Sequence, residues 1–315
     1  MNPRRILILL GAAAALLVLA YLFIDLGSHW DYALQRRAKK LLAMALTGAA
    51  IAFSTVVFQT ITNNRILTPS IIGLDSLYML LQTAIVFAFG SLTLTTLNPQ
   101  VHFGLSVGLM IAFAGLLYRL LFRREGRGIY FLMLVGIIFG TFFGSITSFL
   151  QMLTDPNEFQ VVQDRMFASL NNVNAKVLAI SAIGMLAVTA YFLPMRRYLD
   201  VLSLGREHAV NLGVPYERTV KRLLIVVAVL ISIATALVGP ITFLGLLVVN
   251  VAYQIIRDYR HRYLIPGAIL IGIVALVGGQ LIVERVLTFT TTLSVVINFV
   301  GGVYFIYLLL RENKA

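Results

Sequence analysis

The stretch LDVLSLGREHAVNLGVPYERT, Leu199 to Thr219, decides how the rest of the chain is read. Two strongly apolar segments flank it, so it interrupts an otherwise hydrophobic polypeptide. Val201, Leu202, Leu204, Ala209, Val210 and Leu212 recur at roughly helical spacing, and Gly205 and Gly213 punctuate them. That pattern predicts one or two short amphipathic helices closing the end of a membrane bundle, a structured elbow and not a flexible linker.

The composition supports the bundle. Of 315 residues 59% are hydrophobic and only 12% charged, with a mean hydropathy of +0.91. A soluble domain averages about 45–50% apolar and about 25% charged residues. The apolar runs are long and unbroken, which selects helices over a β-barrel. A bilayer core of about 30 Å needs about 20 apolar residues per crossing. Ten segments are candidate crossings: Ile6–Ile24, Leu41–Ile61, Ile71–Leu97, Val101–Phe122, Ile129–Leu153, Val173–Leu193, Val220–Val238, Ile241–Ile256, Leu264–Val283 and Leu293–Leu310. The first is longer than a signal-peptide core and is read as an uncleaved helix. Ile71–Leu97 is long enough to be tilted or kinked. The whole chain, 1–315, reads as one transmembrane domain.

Charge sets the orientation. With the N-terminus inside, the inner loops hold Arg65, then Arg119, Arg123, Arg124 and Arg127, then Arg196, Arg197 and Arg206, then Arg257, Arg260 and Arg262, and finally Arg311 and Lys314. Clustered inner cations are what the positive-inside rule expects, so the elbow and both termini are cytoplasmic. The net charge of +12 is thereby explained without nucleic acid. One segment breaks the pattern: Arg36, Arg37, Lys39 and Lys40 fall outside.

Several chemistries are excluded. There is no cysteine, hence no disulfide or thiolate site. No G-x-x-x-x-G-K-[ST] loop occurs, so ATP hydrolysis would have to come from another chain. His29, His102, His208 and His261 lie at helix ends or in loops without metal-ligand spacing, and read as solvated or interfacial side chains. Asp75 is the one acid well inside a predicted span, near its inner end. Gln59, Gln82, Asn250, Gln280 and Asn298 read chiefly as helix–helix hydrogen-bonding groups, with pathway lining as the alternative. The small-residue strip Thr47 to Thr55 predicts close helix packing, and Pro69 and Gly73 mark a shaped turn back into the membrane.

The run GAAIAFSTVVFQTITNNRILTPSIIGLDS, from Gly48 to Ser76, resembles the signature of the FecCD-type permeases. These are membrane subunits of ATP-driven importers for iron–siderophore complexes, haem and vitamin B12. The likeness continues through the elbow, through GPITFLGLLVVNVAYQIIR and through VVINFVGGVYFIYLLLR. Val249-Asn250 stands where the family has Pro-His, and Asp75 where it has a small residue.

The resemblance implies an all-α, ten-helix type II ABC importer permease fold of the BtuC-like kind. It implies a partner permease, homologous or identical, two cytosolic P-loop ATPases that bind ATP and Mg, and an external substrate-binding protein. It places the chain in the bacterial inner (plasma) membrane, with a ferric siderophore as the expected cargo and no cofactor of its own. Leu204, Gly205, Arg206, Glu207, His208, Ala209, Leu212 and Gly213 would then form the contact with the ATPase. Apolar contact would come from Leu204, Ala209 and Leu212, and register from Arg206 and Glu207. Arg36, Arg37 and Arg285 would dock the binding protein. Gly140, Gly144, Thr147 and Asn298 would line the path. Haem or vitamin B12 remain alternative cargoes, and a secondary transporter the alternative mechanism.

Overall fold

In a computed structural model, which describes residues 2–24, 30–122, 129–168, 170, 173–288 and 291–312, the described residues form helices and no strands. Arg123, Arg124, Arg127, His29 and Lys314 lie outside the described residues. The order is α1 Pro3–Phe23, α2 Trp30–Thr62, α3 Leu74–Phe89, α4 Ser91–Thr96, α5 Pro99–Phe122, α6 Ile129–Leu153, α7 Pro156–Met166, α8 Ala175–Phe192, α9 Arg196–Leu202, α10 Arg206–Asn211, α11 Tyr216–Val238, α12 Leu244–Ile256, α13 His261–Arg285 and α14 Leu293–Glu312. Eight of these are long and apolar enough to cross a membrane, and α3 and α12 are shorter apolar helices. Together they occupy the ten predicted positions, as a multi-pass membrane protein requires.

α2 is the axis of the bundle. It packs on α13, α11 and α12, and the small residues predict why. A Cβ on Gly48 would lie 3.2 Å from the Gly272 carbonyl carbon, and one on Gly272 would lie 3.0 Å from the Gly48 oxygen. The two backbones touch, which only glycine permits. α2 also extends beyond its predicted span, so that Arg36, Arg37, Lys39 and Lys40 ride on a helix and not in a loop.

Two spans depart from the expected continuous helices. Ile71–Leu97 is divided. A 3₁₀ turn at Pro69–Ile72 leads to left-handed Gly73 (φ 87°), and Gly90 (φ 79°) separates α3 from α4. The Glu158 carboxylate of α7 accepts the Ser91 backbone N–H, satisfying the new helix start. The helix expected from Ile241 begins only at Leu244, after an unwound stretch opened by Gly239 (φ 99°).

Asp75 therefore does not sit at the inner end of a straight span. The turn before α3 climbs into the bundle until Asp75 accepts a hydrogen bond from Thr235 (3.1 Å). Thr235 lies thirteen residues past Arg222 on α11, roughly 20 Å at 1.5 Å per residue, and three residues before the end of that helix.

We expect Gly272→Ala to force α2 and α13 apart and cost about 1–3 kcal/mol, whereas Gly104→Ala, with nothing within 4 Å, is neutral. Thermal unfolding of both variants in detergent measures the difference.

Candidate functional site

The elbow is two short helices with a sharp corner. α9 ends where Ser203 N–H reaches Leu199 O (3.1 Å), and Gly205 (φ 95°) reverses the chain to start α10. α10 closes with Val214 N–H on Ala209 O (3.0 Å) and left-handed Gly213 (φ 80°), a glycine-dependent helix stop. A six-residue helix has little stability of its own, so the bundle must hold it.

Ala209 supplies that hold. It is 0% exposed, with its methyl group buried against the bundle. The expectation that it contacts an ATPase is therefore corrected: on a single turn of helix, a residue facing the bundle cannot also face outward. The apolar residues left open are Leu204, Val210 and Leu212. Arg206, Glu207 and His208 are exposed beside them. Arg206 reaches back to Glu217 (3.7 Å) and lies over the Tyr216 ring (5.9 Å), an exposed pairing that orients α10 on α11 more than it stabilises it.

A second link ties the elbow to the core. Asp200 of α9 accepts both the backbone N–H (2.9 Å) and the ring Nδ1–H (2.6 Å) of His261. The other ring nitrogen meets Thr60 Oγ1 of α2 (2.7 Å). One imidazole thus joins the elbow, the start of α13 and the C-terminal end of α2. This overturns the reading of His261 as solvated or interfacial, since it is 5% exposed. His102 is likewise engaged, with Nε2 2.9 Å from Gln82 Oε1.

Twenty-four residues of α13, roughly 36 Å at 1.5 Å per residue, separate His261 from Arg285. At that far end the predicted docking arginines converge. Arg37 donates to the Tyr21, Leu22 and Ile24 carbonyls (3.2, 3.2 and 2.6 Å), and Arg285 donates to Ile24 O (3.1 Å). Both cap the end of α1, while Arg36 is exposed. Beneath them Lys40 pairs with Glu284 (3.1 Å), which also accepts from the Tyr21 hydroxyl (3.1 Å) and Gln280 (2.8 Å). Nothing in the sequence linked positions 244 residues apart.

The predicted path residues divide. A Cβ on Gly140 would lie 3.4 Å from the Gly73 Cα, and one on Gly136 would clash with Ile71 O (2.8 Å). These glycines seat the re-entrant turn and do not widen a conduit. Thr147 is buried, its hydroxyl donating to Phe143 O (2.7 Å). The expectation that Gly140 and Thr147 line an open path is corrected accordingly. Gly144 borders open space, and the exposed polar strip of α6 is Thr141, Ser145 and Ser148. Asn298 receives the Phe243 N–H (3.4 Å), holding the unwound start of α12. Gln59 and Asn250 both donate to Arg65 O (2.6 and 3.0 Å), so Asn250 anchors the re-entrant turn.

With this geometry in place, the chain compares as follows. The FecCD transport family matches residues 5–311. The petrobactin import system permease protein YclO of Bacillus subtilis is 60% identical over 100% of this chain and 99% of its own length. The petrobactin import system permease protein FatC of Bacillus anthracis is 36% identical over 89% and 79%. A solved metal-chelate type ABC transporter in an inward-facing conformation shares the fold, with a TM-score of 0.84 and 21% identity over 98% of this chain and 99% of its own. The chain belongs to the FecCD transport family.

Replacing Asp200 with Asn removes the charge from the His261 link. Amide exchange over Leu199–Val214 is expected to rise about tenfold, the loss of one charge-assisted bond, and exchange mass spectrometry of the intact permease reads it.

Proposed function

We propose that this FecCD-family permease carries a ferric siderophore of the petrobactin type across the bacterial plasma membrane. A second permease completes the path, two cytosolic P-loop ATPases supply the energy, and an external binding protein delivers the cargo. The observation that carries the energy-coupling part is the elbow: a rigid apolar face of Leu204, Val210 and Leu212, rimmed by Arg206 and Glu207, at one end of the bundle in a chain without a phosphate loop. An amphipathic helix that lays such a face into a groove is a recurrent docking mode, with the charged rim setting register. Whole-length similarity to the petrobactin permease of Bacillus subtilis supports the cargo class over haem or vitamin B12.

The mechanism is alternating access. ATP binding draws the two ATPases together and moves the elbows. The Asp200–His261–Thr60 link passes that movement to α2 and α13, and the path between the permeases opens outward. Hydrolysis resets it. The arginine end lies roughly 36 Å away along α13 and faces the binding protein, which fits both termini being cytoplasmic. Rim charges there act on encounter rate and orientation more than on affinity. The strip of Thr141, Ser145 and Ser148, with Gly144 beside it, offers the path weak polar contacts, and selectivity rests with the binding protein.

Leu212→Glu is expected to lower both ferric-siderophore uptake and permease-stimulated ATP hydrolysis about tenfold while the permease still folds. Ala209→Asp instead abolishes folding, because it buries an unpaired charge. Arg36→Glu raises the binding-protein concentration needed for half-maximal uptake, with the effect fading at high salt. Growth of a deletion strain restored by ferric petrobactin, but not by haem or vitamin B12, tests the cargo; restoration by haem instead would overturn that assignment.

A further inference from the structure

The two helix breaks meet, and a carboxylate lies between them. The turn before α3 and the unwound stretch before α12 enclose a cavity of about 10 Å³, lined among others by Thr55, Thr68, Ser70, Asp75, Thr235 and Thr242. Roughly one water-sized body fits such a space. No lysine, arginine or histidine lines it, and Asp75 makes no ion pair among the described residues.

One donor there is already committed. The Thr235 hydroxyl donates to the Asp75 carboxylate (3.1 Å) and Ser70 lines the same space, so the carboxylate oxygens still open present lone pairs. Thr55 is fully buried, and its Oγ1 has no hydrogen-bond partner. It is wedged against Gly245, at whose position even a Cβ would lie only 2.1 Å away. An unsatisfied buried hydroxyl beside an unpaired carboxylate is costly in hydrocarbon. A cation surrounded by these oxygens satisfies both groups at once. One carboxylate balances one positive charge, which selects a monovalent ion over a divalent one. A space for one water-sized body admits a single dehydrated alkali ion, sodium more easily than potassium. Broken helices meeting inside the apolar layer are also where transporters of other folds place such ions.

We propose that this cavity binds one sodium-sized monovalent cation, held by Asp75, Thr235, Ser70 and Thr55, which clamps the two helix breaks together. The ion is part of the permease itself and independent of the cargo.

The purified full-length permease is heated in sodium, potassium or N-methylglucamine chloride at constant ionic strength. Sodium raises the thermal midpoint saturably by about 2–4 °C over N-methylglucamine, and potassium does so much less. Asp75→Asn removes the response. Thr55→Val, which keeps the shape and deletes the oxygen, raises the sodium concentration at half-effect about tenfold. Equal midpoints of the unaltered protein in all three salts overturn the proposal and leave a protonated carboxyl beside a water. A full sodium response in Asp75→Asn overturns it too. If that variant does not fold, unchanged sodium affinity in Thr55→Val has the same consequence. The readout needs no ATPase, binding protein or siderophore, so it stands apart from the transport reading.

Discussion

The contact between Gly48 and Gly272 sets the spacing on which the rest of the molecule depends. In lipid there is no hydrophobic gain from pressing one apolar helix on another, so van der Waals packing must supply the attraction. Bare backbone against bare backbone brings α2 and α13 close enough for long side chains at both ends to meet. At one end Lys40 reaches Glu284, and at the other His261 reaches Thr60. Both polar links are consequences of one apolar crossing.

The helix breaks obey the complementary rule that every backbone polar group at membrane depth needs a partner. The chain meets it with few side chains. Gln59 and Asn250 share the Arg65 carbonyl, Asn298 takes the Phe243 N–H, and Glu158 takes the Ser91 N–H. The glycines at 136, 140 and 301 let neighbouring segments press close. A Cβ on Gly301 would fall 2.5 Å from Phe243 Cβ. Small residues in α6 and α14 thus serve internal fit first, and whatever path exists must run along what they leave open.

Transmission across the bundle follows from stiffness. Asp200, His261 and Thr60 form a three-helix junction at the elbow, and α13 runs unbroken from there to the arginine end. Its Pro266, the sixth residue of the helix, lacks the N–H that would reach the Arg262 carbonyl, yet the helix continues through it. A displacement at the elbow can therefore move α2 and α13 as bodies instead of being absorbed in a loop.

Hydropathy, charge parity and motif order by themselves determined the membrane class, the ten apolar positions, the elbow and the family. Each of these is a property of local composition or of short spacing, which a linear reading contains. The small-residue strip of α2 also announced close packing, though not its partner. Only the tertiary structure decided which elbow residues face outward, since Ala209 and Val210 are neighbours in sequence and opposite in burial. It also decided that the glycines of α6 seat a turn, that His261 is a junction, and that Asp75 lies where two breaks meet. Each of those depends on contacts between distant segments. Burial and pairing are set by the helix that comes to lie alongside, and no local stretch encodes that neighbour's identity.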